Sequence, residues 1–287
     1  MKYLVLALLA VSTTAFADIC IESKIIELQF NADAYSEVEL KALAGELEVS
    51  ASENQEINFW GKVCTDEKKH LDMIDLDVLE TDGKLTLAAI IPYHQEDFDP
   101  YYAIMDIELS IPKSMPLRLR DSSGNMQVKG VSVISIDDSS GDIRVIDGKK
   151  DLSLRDSSGE IYVRNMDGNV RVSDSSGDID LNNIKGDVEI PGDSSGGIEI
   201  SGVEGSVNID RDGSGDIEID HVGKDVLIGS DGSGDISIED VKGTVKIEAD
   251  GSGRVTVEEV AGDFELVNKG NGDIRTVNIA GSVKTPR

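Results

Sequence analysis

Serine and aspartate recur together at regular spacing in the second half of the chain, and both residue types can do chemistry. The tetrapeptide Asp-Ser-Ser-Gly begins at Asp121, Asp138, Asp156, Asp174 and Asp193, and Asp-Gly-Ser-Gly begins at Asp212, Asp231 and Asp250. A serine hydroxyl can act as a nucleophile, and an aspartate can bind a metal ion. The residues around each copy and the spacing between copies distinguish these roles from a structural one.

The third residue of the motif is serine in all eight copies. No histidine or lysine recurs beside these serines to act as a base, which argues against a nucleophilic role. We expect instead that each hydroxyl satisfies a backbone group of the turn, and that the following glycine supplies a positive φ or a close backbone approach. The structural turn serines are Ser123, Ser140, Ser158, Ser176, Ser195, Ser214, Ser233 and Ser252.

The aspartates pose a problem of charge. Unit charges about 4.8 Å apart repel one another by roughly 0.9 kcal/mol in water. Each aspartate must therefore accept turn N–H groups, extend into solvent or share a cation. An Asx turn is the favoured interpretation. A calcium ladder is the alternative, with Asp212, Asp216, Asp231, Asp235 and Asp250 as candidate ligands, and no other cofactor is predicted.

The spacing of the motif indicates how the chain must fold to position it. Successive copies are 17, 18 and 18 residues apart, and then 19 residues apart to the end of the series. A fixed period near twenty residues is typical of a solenoid. Within one period, Ile217 and Ile219 alternate with acids, and Val226 and Ile228 follow after a turn, which predicts two short strands per coil.

Stacked coils would bury the apolar residues as columns. One predicted column is Ile143, Ile161, Ile179, Ile198, Ile217, Ile236, Val255 and Ile274. A facing column is Ile134, Leu152, Val170, Val188, Val207, Val226, Val245 and Phe264. The sequence therefore predicts an all-β, single-stranded parallel β-helix of about eight or nine coils over residues 116–287.

The first residues carry an export signal. Lys2, an apolar run from Leu4 to Ala10 and the segment Ala15-Phe16-Ala17 predict a signal peptide over residues 1–17. Cys20 and Cys64 are the cysteines of the mature chain, and in an oxidising compartment they would form one disulfide. We expect an exported protein, periplasmic or extracellular, that is soluble after cleavage of the signal.

Residues 18–115 lack the repeat and contain most of the aromatic residues. A solenoid end exposes unpaired backbone, so we interpret this region as an N-terminal β cap. The segment from Tyr93 to Tyr102 mixes acids and aromatics around a proline and predicts a loop. Two interpretations stay open: Tyr93, Phe98, Tyr101 and Tyr102 either form a binding loop or fold back onto the cap.

The charge of the chain restricts its partners. The formal net charge is −29, which repels phosphate backbones and argues against nucleic-acid binding. No later apolar stretch is long enough to span a bilayer. A protein of the cell envelope, a glycan or a cationic peptide remains as a candidate partner, and the charge could also serve solubility alone.

One stretch resembles a known family. Ile111-Pro-Lys-Ser-Met-Pro-Leu-Arg-Leu-Arg-Asp-Ser-Ser-Gly124, followed by units such as Gly215-Asp-Ile-Glu-Ile219, is similar to the bacterial family called "putative adhesin". The resemblance covers about residues 38–283. It implies a right-handed β-helix in exported envelope proteins, and it implies no catalytic residues.

These observations together predict an exported, non-enzymatic β-solenoid that acts as an adhesin-like binding or scaffold protein of the bacterial cell envelope. The alternative is a calcium-stabilised acidic structural solenoid. A carbohydrate-active β-helix enzyme is the third hypothesis, and it would need long loops that form a cleft. The turns here are short and uniform, which disfavours it.

Overall fold

The computed structural model describes residues 20–93 and 95–286 and consists of two stacked β-sheets of thirteen strands each. Each coil contributes one strand to each sheet, and like strands of successive coils pair in parallel over about nine turns. The predicted all-β solenoid is confirmed. The predicted signal peptide lies outside the described residues, and the handedness of the coil stays a prediction.

The strands alternate between the two sheets along the repeats. The first sheet contains β1 (Glu22–Asn31), β3 (Leu47–Ser52), β4 (Glu56–Thr65), β7 (Ala103–Pro112), β9 (Met126–Lys129), β11 (Ile143–Ile146), β13 (Ile161–Met166), β15 (Ile179–Ile184), β17 (Ile198–Val203), β19 (Ile217–Val222), β21 (Ile236–Val241), β23 (Val255–Val260) and β25 (Ile274–Ile279). The second sheet contains β2 (Glu37–Lys41), β5 (Asp75–Thr81), β6 (Lys84–Ile90), β8 (Pro116–Arg120), β10 (Ser132–Asp137), β12 (Leu152–Arg155), β14 (Val170–Ser173), β16 (Val188–Gly192), β18 (Val207–Arg211), β20 (Val226–Asp231), β22 (Val245–Asp250), β24 (Phe264–Lys269) and β26 (Val283–Lys284). A 3-10 turn (Ala32–Ala34) and a short helix α1 (Lys68–Leu71) complete the described elements. No helix among them is long and apolar enough to cross a membrane.

The core lies between the two sheets and consists of the predicted apolar columns. Ile217 pairs in register with Ile198 on one side and Ile236 on the other, and all three side chains are buried. Alternate residues of each strand point inward, so every coil covers the apolar face of its neighbours. Burial of each Val or Ile contributes about 1.5–3 kcal/mol, which the coil gains only within the stack.

One predicted member of the facing column is wrong. A β-bulge between Val133 and Ser135 interrupts the pairing of β10 with β8. Val133 is buried there, whereas Ile134 is only half-buried. The sequence places two apolar residues side by side at this point, and the bulge selects between them.

The change from 18-residue to 19-residue coils also has a place in the structure. β14 and β16 pair with Arg171 opposite Glu189 and Ser173 opposite Gly192, so the second strand holds one extra residue. The extra residue is accommodated as an irregularity next to the corner, and Val188 still pairs with Val170 in the core.

The N-terminal region both starts and closes the stack. β2 and β3 pair in parallel with β8 and β9, so the first coil lies within residues 18–115. A long insertion separates β3 from β8. Its strand β7 pairs in parallel with β3, and β4 pairs antiparallel with both β7 and β1, which precedes the first coil in the chain. In the second sheet β6 pairs in parallel with β2 and antiparallel with β5. The predicted disulfide between Cys20 and Cys64 is present and ties the start of β1 to β4.

Candidate functional site

The aspartates that begin each turn form one buried column along a corner of the solenoid. All eight side chains are only 4–8% exposed, and Asp231 pairs in register with Asp250 of the next coil. The members of this aspartate column are Asp121, Asp138, Asp156, Asp174, Asp193, Asp212, Asp231 and Asp250. A row of buried carboxylates is costly unless hydrogen bonds, protons or cations compensate it.

Hydrogen bonding divides this column into two halves. In the first four members one carboxylate oxygen accepts the N–H of the next residue, as in Asp138 and Ser139 at 2.7 Å, and the second oxygen is buried without a partner. In the last four, from Asp193 onward, both oxygens lack a hydrogen-bond partner within the described residues. One cause is visible at Gly232, whose N–H donates to the carbonyl of Asp212 in the preceding coil and is thereby engaged.

Burial shifts the acidity of the column. Desolvation raises the pKa of Asp121 to about 7 and that of Asp138 to about 6, although the turn N–H groups partly offset it. The pKa of Asp193 is raised to about 6 by burial and by its acidic neighbours. Burial together with Asp212 and Asp250 raises the pKa of Asp231 to about 7. These carboxyls can therefore hold protons at mildly acidic pH.

The turn serines face the preceding coil. The hydroxyl of Ser140 donates to the carbonyl of Ser122 at 3.1 Å, and that of Ser176 donates to the carbonyl of Ser157 at 3.1 Å. Ser123 makes the corresponding contact with the carbonyl of Leu43, in the turn of the first coil. These hydroxyls donate to backbone carbonyls of the neighbouring coil, and within the described residues none of the three hydrogen-bonds to a side-chain base.

The five aspartates predicted as calcium ligands do not form one group. Asp212, Asp231 and Asp250 belong to the buried column, whereas Asp216 and Asp235 are exposed on the other side of the turn. The carboxylate of Asp216 accepts the N–H of Asp235 at 2.8 Å, and that of Asp235 accepts the N–H of Arg254 at 2.8 Å. Within residues 20–93 and 95–286, no group of three or more acids, histidines or cysteines is arranged to hold a metal ion.

A further ladder of side chains, which the sequence analysis missed, supports the opposite corner. Asp187 accepts the N–H of Ser206 at 2.8 Å, and Asp225 accepts the N–H of Thr244 at 2.7 Å. Each carboxylate thus satisfies the N–H at its own repeat position one coil later. The signal was available in the sequence, because an Asp or Asn precedes the first valine of the second strand in several coils.

The predicted binding loop is mostly folded back onto the cap. Phe98 is buried and packs edge-on against His70 and Tyr93, with ring centroids 5.4 and 6.0 Å apart. The Tyr102 hydroxyl accepts the N–H of Ile21 at 2.8 Å and donates to a cap carbonyl. Tyr101 is different: its side chain is 94% exposed and lies at the tip of the loop.

Asp66 anchors the tip of this loop. Its carboxylate accepts the backbone N–H of Tyr101 at 2.7 Å and contacts Nδ1 of the buried His70 at 2.8 Å. These hydrogen bonds, the one from Tyr101 first, hold the pKa of the Asp66 carboxyl well below its usual range. The backbone beneath Tyr101 is therefore fixed while its ring projects into solvent.

Several solved structures are similar to this chain over most of its length. A "putative lipid binding protein" from Parabacteroides distasonis is 18% identical, with 93% of this chain and 98% of that chain covered and a TM-score of 0.46. A "putative adhesin" from Bacteroides fragilis is 15% identical, with coverages of 91% and 96% and a TM-score of 0.30. A "putative cell adhesion protein" from Clostridium sporogenes is 12% identical, with coverages of 92% and 100% and a TM-score of 0.29.

A protein-family model also matches the chain. The family described as Toastrack DUF4097 matches residues 21–221, which is more than half of the chain. No curated protein matches the chain. The matched residues span the cap and the coils up to β19. At the level of the family, the match confirms the resemblance drawn from the sequence.

Proposed function

This chain belongs to the Toastrack DUF4097 family, and on that premise we propose that it is an exported, non-enzymatic solenoid of the bacterial cell envelope. In this proposal it binds a protein, glycan or cationic peptide of the envelope, or serves as a scaffold for such partners. The long stacked sheets provide a rigid support, and the loop that ends at Tyr101 provides one projecting aromatic contact.

One observation carries the proposal: five of the eight turn serines donate hydrogen bonds that hold neighbouring coils together. Serine hydroxyls such as those of Ser140 and Ser176 donate to carbonyls of the preceding turn, so they are occupied as structural donors. The outer faces of the sheets and the loop are then the parts of the molecule available for recognition. Binding by rigid surfaces with exposed aromatic anchors is the function that such an arrangement supports best.

The loop can be tested with two variants that separate contact from folding. Tyr101→Ala removes an exposed ring and leaves its anchored backbone in place, so binding of the purified mature protein to envelope fractions should weaken. Tyr102→Phe is the matched control, because it keeps the ring and removes only the hydroxyl that holds Ile21 and Thr65. Undiminished binding by Tyr101→Ala would remove the loop from the proposal.

Export has its own test. The disulfide between Cys20 and Cys64 supports an oxidising destination, since such bonds persist mainly outside the cytoplasm. We expect the protein purified from its cell to begin at Asp18, after the Ala15-Phe16-Ala17 segment, and to fractionate with the periplasm or medium. A mature protein that retains residue 1 and stays in the cytoplasmic fraction contradicts the proposal.

The unpartnered oxygens of Asp193, Asp212, Asp231 and Asp250 favour a second candidate, a solenoid that calcium stabilises. Calcium would neutralise the column where the turn N–H groups do not. Thermal melts in the presence of calcium and of a chelator separate the two candidates. If the aspartate column needs no calcium, as in the first candidate, calcium and chelator leave the melting temperature unchanged. A clear fall of the melting temperature with chelator supports the calcium-stabilised solenoid.

A further inference from the structure

Trp60, the one tryptophan of the chain, lies on the outer face of the first sheet between two glutamates. In the antiparallel register Trp60 is directly opposite Glu27 on β1 and directly opposite Glu108 on β7. Side chains at such positions stand on the same face, with Cβ atoms about 5 Å apart. The indole is half-buried, and both glutamates are exposed.

The surroundings of Trp60 form a polar cleft. Its volume is about 370 Å³. The next row of the sheet supplies Gln29, Asn58 and Ser110, which are again cross-strand neighbours. Gln29 donates a hydrogen bond to the Asn58 side chain at 3.0 Å, so this row is pre-arranged. The cleft thus combines one flat apolar surface with several hydrogen-bonding groups, as binding sites commonly do.

The carboxylates around the cleft favour a cationic ligand. Neither Glu27 nor Glu108 forms an ion pair with another of the described residues, and Glu48 adds a third carboxylate beside Glu108. A guanidinium or ammonium group over the indole face would be attracted by the ring and would lie between the flanking carboxylates. The net charge of −29 would speed the approach of a basic partner.

The adjacent strand edge provides a place for the main chain of such a partner. β1 is the last strand of the first sheet, and its outer edge pairs with no other strand in the part of the chain that the structure describes. An extended peptide can add to an exposed edge, with its main chain hydrogen-bonded and its alternate side chains over the sheet face. A long basic side chain from that position would pass Glu27 and reach Trp60.

We propose that β1 and the Trp60 cleft bind an extended basic segment of a partner protein, with its main chain paired to β1 and an Arg or Lys side chain over Trp60. The inference deepens the proposed binding function by naming a partner class, and it rests on that function. It uses a surface separate from the Tyr101 loop.

A capped synthetic peptide in which Arg alternates with Thr is the probe. Because Trp60 is the one tryptophan, its emission reports directly on occupancy of the cleft, and titration of the mature protein should change it saturably. The double variant Glu27→Gln, Glu108→Gln should weaken binding by at least about tenfold. The matched control is Glu199→Gln, Glu218→Gln, which removes two adjacent carboxylates from the same sheet face on distant coils.

Two outcomes overturn the placement of a basic side chain over Trp60. One is equal weakening by both double variants, which indicates general attraction to an acidic surface. The other is unchanged Trp60 emission at a peptide concentration that saturates binding by calorimetry. A third measurement tests the edge: the same peptide with N-methylated backbone amides should bind at least about tenfold more weakly, and equal affinity contradicts pairing with β1. Envelope binding that depends on Tyr101 would survive these failures, so the two proposals can fail separately.

Discussion

At the scale of single residues, the aspartate column couples stability to pH. The raised pKa values mean that the folded chain binds more protons than the unfolded chain between about pH 4 and pH 7. The free energy of unfolding should therefore fall as the pH rises through this window. We expect urea denaturation to show at least about 3 kcal/mol more stability at pH 5 than at pH 8.

Carboxyls with a lowered pKa set the low-pH end of the range in which the protein is most stable. Hydrogen bonds or ion pairs lower the pKa of Asp66, Asp167 and Asp240, so their contribution is lost only as the pH falls below the ordinary range of a carboxyl. The stability maximum should consequently lie near pH 5. A maximum at pH 7 to 8 would contradict a column that carries protons and would favour one that carries cations.

Asp231→Asn isolates one member of the column. The amide has the same shape and no charge, so at pH 8 it should stabilise the protein by about 1–3 kcal/mol, and near pH 4 the gain should vanish. Asp235→Asn is the control, because the amide oxygen can still accept the N–H of Arg254. This substitution should change the free energy of unfolding by less than about 0.5 kcal/mol. Destabilisation by Asp231→Asn at pH 8 would mean that the charge has a native partner.

The sequence could predict the role of the turn serines, but not which aspartates of the corner are buried. The absence of a repeated base indicated that the serines are structural, and the hydrogen bonds of Ser140 and Ser176 agree with that role. Which aspartate turns inward could not be predicted. Asp212 and Asp216 are four residues apart, and the backbone path of the corner between them decides that one is buried and the other exposed.

At the scale of the elements, the corner depends on a column of glycines. Gly234 has a φ of +150°, and a Cβ built there would overlap the carbonyl oxygen of Gly215 in the preceding coil. Gly234→Ala combines an unfavourable backbone conformation with a clash against the main chain. We expect a loss of at least about 3 kcal/mol in the free energy of unfolding, measured by denaturant titration.

A second glycine gives the matched control for this change. Gly192 lies in the irregularity between β14 and β16, and a Cβ there would meet nothing within 4 Å. Gly192→Ala should change stability by no more than about 0.5 kcal/mol. Equal effects of the two substitutions would show that the stacked corner does not require close backbone approach.

The disulfide stabilises the cap by linking two of its segments covalently. It links Cys20 to Cys64 across a separation of 44 residues and fixes β1 against β4. The double variant Cys20→Ser, Cys64→Ser should lose about 3–4 kcal/mol, chiefly because the unfolded chain gains freedom. Reductant should lower the melting temperature of the natural protein and leave that of the variant unchanged. A variant as stable as the oxidised protein would contradict this role.

Element prediction worked best where one pattern repeats. The two strands of each coil follow from alternating apolar residues at a constant offset from the turn. In residues 18–115 the sequence predicts only a β cap, whereas β2 and β3 form the first coil of the stack and β5 pairs with β6. β5 forms a hairpin with β6 through Asp82-Gly83, a local turn signal that the sequence contains. The pairing of β2 and β3 with β8 and β9 joins segments separated by the long insertion, and no local pattern reveals it.

At the scale of the whole molecule, the protein is a one-dimensional stack with a β cap at one end. Antiparallel strands β1 and β5 end the two sheets on the cap side, and each remaining coil contacts mainly its neighbours. The stability of such a stack is close to a sum of coil and interface contributions. The net charge of −29 is spread along it and opposes lateral association.

This architecture predicts that a whole coil can be removed. Deletion of residues 215–233 joins Ser214 to Gly234, recreates the turn sequence and keeps both the core columns and the aspartate column in register. We expect a lower melting temperature, one cooperative transition and an unchanged far-UV circular dichroism spectrum per residue. Deletion of residues 215–224 removes only β19 and forces two successive strands into the second sheet, so it should abolish cooperative folding. If both deletions fold equally well, the strands are not held by coil-to-coil register, because only the first preserves it.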